Sequence, residues 1–252
     1  DIDNILNNSF SLIEGFGTNG TGNLDEDPMF VLATDPSSAP TDVGNARLKV
    51  GSPAINSGDN SVVSTTVDLD GFDRIQDTTV DMGAYEHSSH TVSVNVSGLA
   101  LNNSVTLQNN GADDLVVNND GIHAFSTAVS YTDGYEITVL TQPTSPNQQC
   151  LVSNPTGIIA GSDVVVDVTC TTLQYLVSVD VSGLAGGVTL GVMNNFESMD
   201  VTNNGLTQFT SLLNDGSPYE VTITSQPSQP NQLCEFTSGN ESGVLNGSDV
   251  VV

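Results

Sequence analysis

About 80 residues of this chain are written twice. VSVNVSGLALNNSVTLQNN, from Val92, aligns with VSVDVSGLAGGVTLGVMNN, from Val177, and DGYEITVLTQPTSPNQQC, from Asp133, aligns with SPYEVTITSQPSQPNQLC, from Ser217. Tyr135 and Tyr219, Pro143 and Pro227, Asn147 and Asn231, and Cys150 and Cys234 are each 84 positions apart. The offset is 85 at Gly98 and Gly183 and 86 at Ser162 and Ser248, so single-residue changes fall between the copies, in turns. A fixed self-offset of this size means that one folding unit has been used twice in tandem.

Within a copy the apolar residues alternate. TVSVNV, SVTLQ, DLVVN, IHAFS, YEITVL, CLVS and DVVVDVT each carry the period of two that half-buries a strand. NNG, NDG and TDG separate them as turns, TGIIAG is expected as the turn between the last two, and no stretch shows a helical period. Seven short strands in about 80 residues predict an antiparallel sandwich of immunoglobulin type. Tyr135 and Tyr219, each just after a turn, resemble the tyrosine that pins a corner in such sandwiches, although the cysteine spacing that usually follows it is absent.

Three cysteines fit this frame. Cys150 and Cys170 fall in the last two strands of the first copy and predict a disulfide, which belongs to an oxidising compartment outside the cytoplasm. Cys234 matches Cys150, and its expected partner would lie about four residues beyond Val252, so the chain is expected to break off inside its final strand. A free reactive thiol and an intermolecular bridge are the competing readings for Cys234. The opening DIDNILNNSF likewise reads as the interior of something longer.

Charge excludes several functions. There are 30 acidic residues against 3 basic ones, a formal net charge of −27. The bases are Arg47, Lys49 and Arg74, and nothing after Arg74 is Lys or Arg. Such a surface repels phosphate backbones and anionic membranes, and it suits a protein bathed in salt. No apolar run approaches the roughly 18–20 residues of a membrane-spanning helix. The carboxylates of DLDGFDR (Asp68, Asp70 and Asp73) are candidate Ca²⁺ ligands, but their spacing is one residue short of the calcium-loop order. A structural turn is expected there, with Arg74 pairing with Asp81 or Glu86, and no resident cofactor is predicted. His87 and His90 sit in a polar linker and His123 stands alone in a strand, so neither a metal set nor a Ser-His-Asp or Cys-His combination assembles from spacing. With no Trp and five scattered Tyr, no sugar-stacking platform is evident. The expectation is no enzyme and no catalytic residues.

Residues 1–88 are unlike the repeats. Four motifs occur there in order: Asp27-Pro-x-Phe, Arg47-Leu-x-x-Gly-Ser-Pro-Ala-Ile-x-x-Gly, Asp68-x-Asp-Gly-x-x-Arg and Asp81-x-Gly-Ala-x-Glu. This series resembles the C-terminal closing segment of right-handed parallel β-helix proteins of bacterial surfaces, some of them called choice-of-anchor domains, over about residues 15–86. NNSFSLIEGFG would then belong to the last helical coils. The tandem copies in turn resemble repeats of long surface proteins of Gram-negative bacteria. Together the resemblances imply an all-β chain: the end of a parallel β-helix (1–88) followed by two immunoglobulin-like sandwiches (89–173 and 174–252). The expected role is a non-enzymatic extracellular stalk or adhesin segment. Its expected partners are other copies, neighbouring surface domains and surface polysaccharide. The alternatives are a filament subunit joined by strand or domain contacts between chains, and the tail of a β-helix carbohydrate-active enzyme.

Overall fold

The structure is a computed structural model that describes residues 9–12, 14–15, 20–38 and 43–252. Its regular structure is all β, apart from single 3-10 turns at Pro36–Ser38 and Asn60–Val62. No helix among the described residues is long and apolar enough to cross a membrane. By contact density the chain forms two compact units: Asp1–Val92 with Thr127–Tyr135 and Gly157–Val164, and Ser93–Ser126 with Glu136–Thr156 and Val165–Val252.

The strands in chain order are β1 (Phe30–Leu32), β2 (Asn45–Leu48), β3 (Ser89–His90), β4 (Val92–Ser97), β5 (Val105–Asn109), β6 (Asp113–Val117), β7 (Gly121–Ala124), β8 (Val129–Ser130), β9 (Gly134–Thr141), β10 (Gln148–Val152), β11 (Thr156–Ile158) and β12 (Val164–Thr172). They continue as β13 (Gln174–Tyr175), β14 (Val177–Val181), β15 (Leu190–Asn194), β16 (Glu197–Val201), β17 (Gly205–Gln208), β18 (Leu213–Asn214), β19 (Pro218–Ser225), β20 (Ser242–Val244) and β21 (Val250–Val251).

Each of the seven alternating segments of the first repeat is a strand. With β11 as an eighth strand they form two four-stranded sheets, ordered β10-β12-β4-β7 and β11-β9-β5-β6. The alternation does what its period requires: Val94 and Val96 of β4, Val105 and Leu107 of β5, and Val166 and Val168 of β12 are buried. TGIIAG is more than a turn. Its first three residues are β11, an edge strand of the second sheet, because the chain changes sheets between the two cysteine strands. Neighbouring side chains in so short a segment do not encode which sheet it joins.

The second repeat follows the same plan. Its sheets are β17-β14-β21 and β16-β15-β19-β20, and their inner faces meet in one core of Val177, Val179, Leu190, Val192, Val201, Phe209, Val221 and Leu245. The same ladder irregularity recurs at Thr106/Leu107 in β5 and at Gly191/Val192 in β15. The counterpart of β10, residues 232–236, pairs with no strand among the described residues. Tyr219 donates its hydroxyl to the carbonyl of Asn240, 21 residues downstream, 3.1 Å away. It therefore ties β19 to the approach of β20, a different connection from the upstream corner bond of immunoglobulin domains.

Glu197, at the head of β16, receives the chain after β17. Its carboxylate accepts from the Thr210 amide and hydroxyl, both at 2.7 Å, and from the Ser211 amide at 3.0 Å. Desolvation pushes this carboxyl upward, but the bonds from Thr210 and Ser211 outweigh it and hold the pKa at about 2. The folded value lies below the ordinary 4.5. The stabilisation is thus present above pH 4.5 and is lost as pH falls toward 2. In urea unfolding across that window, wild type should lose midpoint more steeply than Glu197→Gln. Parallel slopes for the two proteins would contradict this account.

Candidate functional site

In the first unit the acidic motifs converge on one another. The buried Asp68 carboxylate accepts the amides of Asp70 (2.8 Å) and Phe72 (3.0 Å) on one oxygen and that of Glu86 (3.0 Å) on the other. The DLDG turn thereby closes on itself and is stitched to the last motif. Asp81, also buried, accepts from the amides of Asn56 (2.7 Å) and His87 (2.5 Å). Burial raises its pKa, and the two backbone bonds work against that rise. Arg74 pairs with Glu86 and donates to the Gly83 carbonyl at 2.6 Å. Arg47 grips Asp70 through two nitrogens and lies over the Tyr85 ring, 4.4 Å from its centroid. The hydrogen bond to Asp70 raises the Arg47 pKa above its ordinary value.

Asp68 and Asp70 are therefore occupied by amides and by a guanidinium, while Asp73 is exposed and outside their cluster. Among the described residues no group of three or more His, Cys, Asp and Glu is placed to hold a metal ion. The histidines are also dispersed. His87 meets the Ser130 hydroxyl at 3.2 Å, His90 lies 3.9 Å from Asp163, and His123 contacts the Asn119 carbonyl at 2.9 Å. Residues 1–8 and 16–19, which carry some of the expected β-helix coils, lie outside the described residues. Among the residues described in that region, Leu12 and Leu24 form a parallel bridge.

The cysteines define a second feature. Cys150 and Cys170 face each other across β10 and β12 and form a disulfide. Gln142 clamps the backbone of Cys150, accepting from its amide at 2.7 Å and donating to its carbonyl at 3.0 Å. Gln226 makes the same two bonds to Cys234, at 2.8 and 2.9 Å. Cys234 itself is free and half-buried. It lines a groove of about 340 Å³ between residues 232–238 and the edge of β14, with Val179, Val181, Phe236 and Val252 on its walls. The glutamine clamps were not singled out from the sequence, yet a signal was there: each glutamine precedes its cysteine by eight positions in both copies.

No protein-family model matches the chain, and no curated protein matches it. Solved structures share some of its shape. The TIE protein of Bacillus anthracis is 12% identical, covers 67% of this chain and has a TM-score of 0.45; the present chain spans 34% of that protein's length. GBS52, the minor pilin of Streptococcus agalactiae, is 9% identical with a TM-score of 0.26, over 65% of this chain and 94% of that one. At these scores the likenesses assign neither a family nor a function.

Proposed function

We infer that this chain is a structural, non-enzymatic segment of an extracellular protein, a stalk-forming region of a bacterial surface adhesin. The carrying observation is tandem repetition of one β unit stapled by the Cys150–Cys170 disulfide. Repeated units lengthen a molecule while each contacts mainly its neighbours, and a structural disulfide belongs outside the cytoplasm. The reading divides the chain into the end of a parallel β-helix (1–88) and two immunoglobulin-like sandwiches (89–173 and 174–252). The deployment of the buried acids supports a scaffold. Asp68, Asp81 and Glu86 hold backbone amides and an arginine, as cross-braces do. Its partners on this reading are neighbouring domains, like copies and surface polysaccharide.

The test is accessibility on intact producing cells. Proteinase K added outside should degrade the chain while a cytoplasmic marker survives, and Cys150 and Cys170 should react with an alkylating reagent only after reduction. A chain protected from the protease, with both thiols alkylated directly, would overturn the proposal.

A further inference from the structure

One backbone platform occurs in both compact units and carries a different side chain in each. In the first unit Tyr131 donates its amide to the Ser88 carbonyl at 2.9 Å, Thr132 to that of Ile159 at 3.0 Å, and Ile159 to that of Asp133 at 2.9 Å. In the second unit Asp215 donates to Leu173 at 2.8 Å, Gly216 to Leu245 at 2.9 Å, and Leu245 to Ser217 at 3.0 Å. The antiparallel pairs β3–β8 and β13–β18 lead into these bonds in the same way. Left-handed residues also match: Thr132 (φ 70°) with Gly216 (φ 81°), and Gly161 (φ 90°) with Gly247 (φ 78°).

The fastening on the platform differs. Tyr131 takes the edge of Phe72, with ring centroids 4.9 Å apart at 84°, and a side chain grown on Gly161 would strike the Phe72 ring at 2.9 Å. Asp215 offers a buried carboxylate at the same place. One of its oxygens accepts the Gly247 amide at 2.7 Å, and the other accepts the Asn147 amide at 2.6 Å. Gly247 belongs to the second repeat and Asn147 to the first, so a single carboxylate holds an amide from each. The linker closes the circuit: Leu173 donates to the Asn147 carbonyl at 2.9 Å, and its own carbonyl accepts from Asp215. Asn147, Leu173 and Asp215 thus form a closed ring of three hydrogen bonds, all within the second unit.

Such a ring is stronger than the rest of the joint. An amide bonded to an ionised carboxylate is roughly twice as strong as a neutral pair, and burial of Asp215 keeps competing water away. The other regular link is the two-residue strand β13. Relative motion is the default for modules that meet through small polar contacts, so a stiff joint needs a specific fastening. Asparagine could not supply it. Its one carbonyl would take one of the two amides, and its NH2 group would face the other donor.

We propose that Asp215 is a clasp that fixes the orientation of the second repeat against the Pro146–Asn147 end of the first. Releasing it turns a stiff joint into a swinging one while both repeats stay folded. The proposal rests on the reading of the chain as tandem modules, and it deepens that reading by assigning the stiffness of a joint to one carboxylate. Two left-handed glycines let the modules approach closely enough: side chains grown on Gly216 and Gly247 would stand 3.6 Å from the Pro146 Cβ and 3.4 Å from the Asn147 Nδ2.

Distances between nitroxide labels test this on the full chain. The labels go on Val116→Cys in the first repeat and Leu206→Cys in the second, exposed at 66% and 63%, in a Cys234→Ser background. With Asp215 in place the distance distribution should be narrow. Asp215→Ala and the isosteric Asp215→Asn should both broaden it, and Asp215→Ala should do so more. Exchange of the Asn147 amide should accelerate by about tenfold or more in Asp215→Ala, the loss expected for a hydrogen bond to a charged group. The amides of Val94 and Val179, buried in the two repeats, should stay protected. A brace acting inside the second repeat alone would free Gly247 and leave the distribution narrow. Unchanged distributions in both variants, or a wild-type distribution as broad as theirs, would overturn the clasp. Loss of protection at Val94 and Val179 together in both variants would overturn the division into modules, and the clasp with it.

Discussion

Phe209→Ala is expected to destabilise the second repeat by about 3–5 kcal/mol, the cost of deleting a fully buried aromatic side chain. Phe209 is 1% exposed and is among the largest of the fully buried side chains. It follows β17 and packs in the core shared by the Val177–Val179 and Leu190–Val192 faces, so its loss leaves a cavity between two sheets. With a urea m-value of about 1–3 kcal/mol per molar, the unfolding midpoint of this repeat should drop by at least about 1 M. Hydrogen exchange localises the effect: amides of β14, β15 and β19 should lose protection. Phe196→Ala is the matched control. That ring is fully solvent-exposed, at 101%, and its removal should change stability by less than about 0.5 kcal/mol. Equal shifts for the two variants would mean that the inner faces do not form the core described.

The second large effect belongs to the disulfide. Replacing both Cys150 and Cys170 by alanine should cost the first repeat about 3 kcal/mol, because the bridge closes a loop with a sequence separation of 20. Alanine is the better substitute: both cysteines are buried, at 1% and 5% exposure, and serine would add the separate cost of burying a hydroxyl. Urea unfolding with and without reductant measures the contribution in wild type, and the double variant should be insensitive to reductant. The second repeat supplies an internal reference, since its Cys234 is unbridged and its exchange protection should not respond to reduction. An unchanged midpoint for the first repeat after verified reduction would mean that the bridge does not staple it.

What was legible in the sequence was mostly local. Alternation placed the strands of the first repeat because burial on one face is a property of each strand's own residues, as with Val94 and Val96 or Val166 and Val168. A pairing of Arg74 with Asp81 or Glu86 was also readable, because few bases stand among many acids, and the structure selects Glu86, 12 residues away. The link of Arg47 to Asp70 spans 23 residues and depends on how two turns pack, which no local pattern specifies.

The order of residues alone sets the tandem duplication, the strand period, the distribution of charge and the cysteine spacing. Each of these is carried by residues close together or by the offset between copies. Only the three-dimensional arrangement settles that 156–158 crosses to the other sheet as β11, and that among the described residues 232–236 pairs with no strand although its letters match β10. The reason is that a strand is a property of pairs. Its amides and carbonyls need a neighbouring edge, and the neighbour that completes β10 is β12, supplied from 20 residues further along the chain.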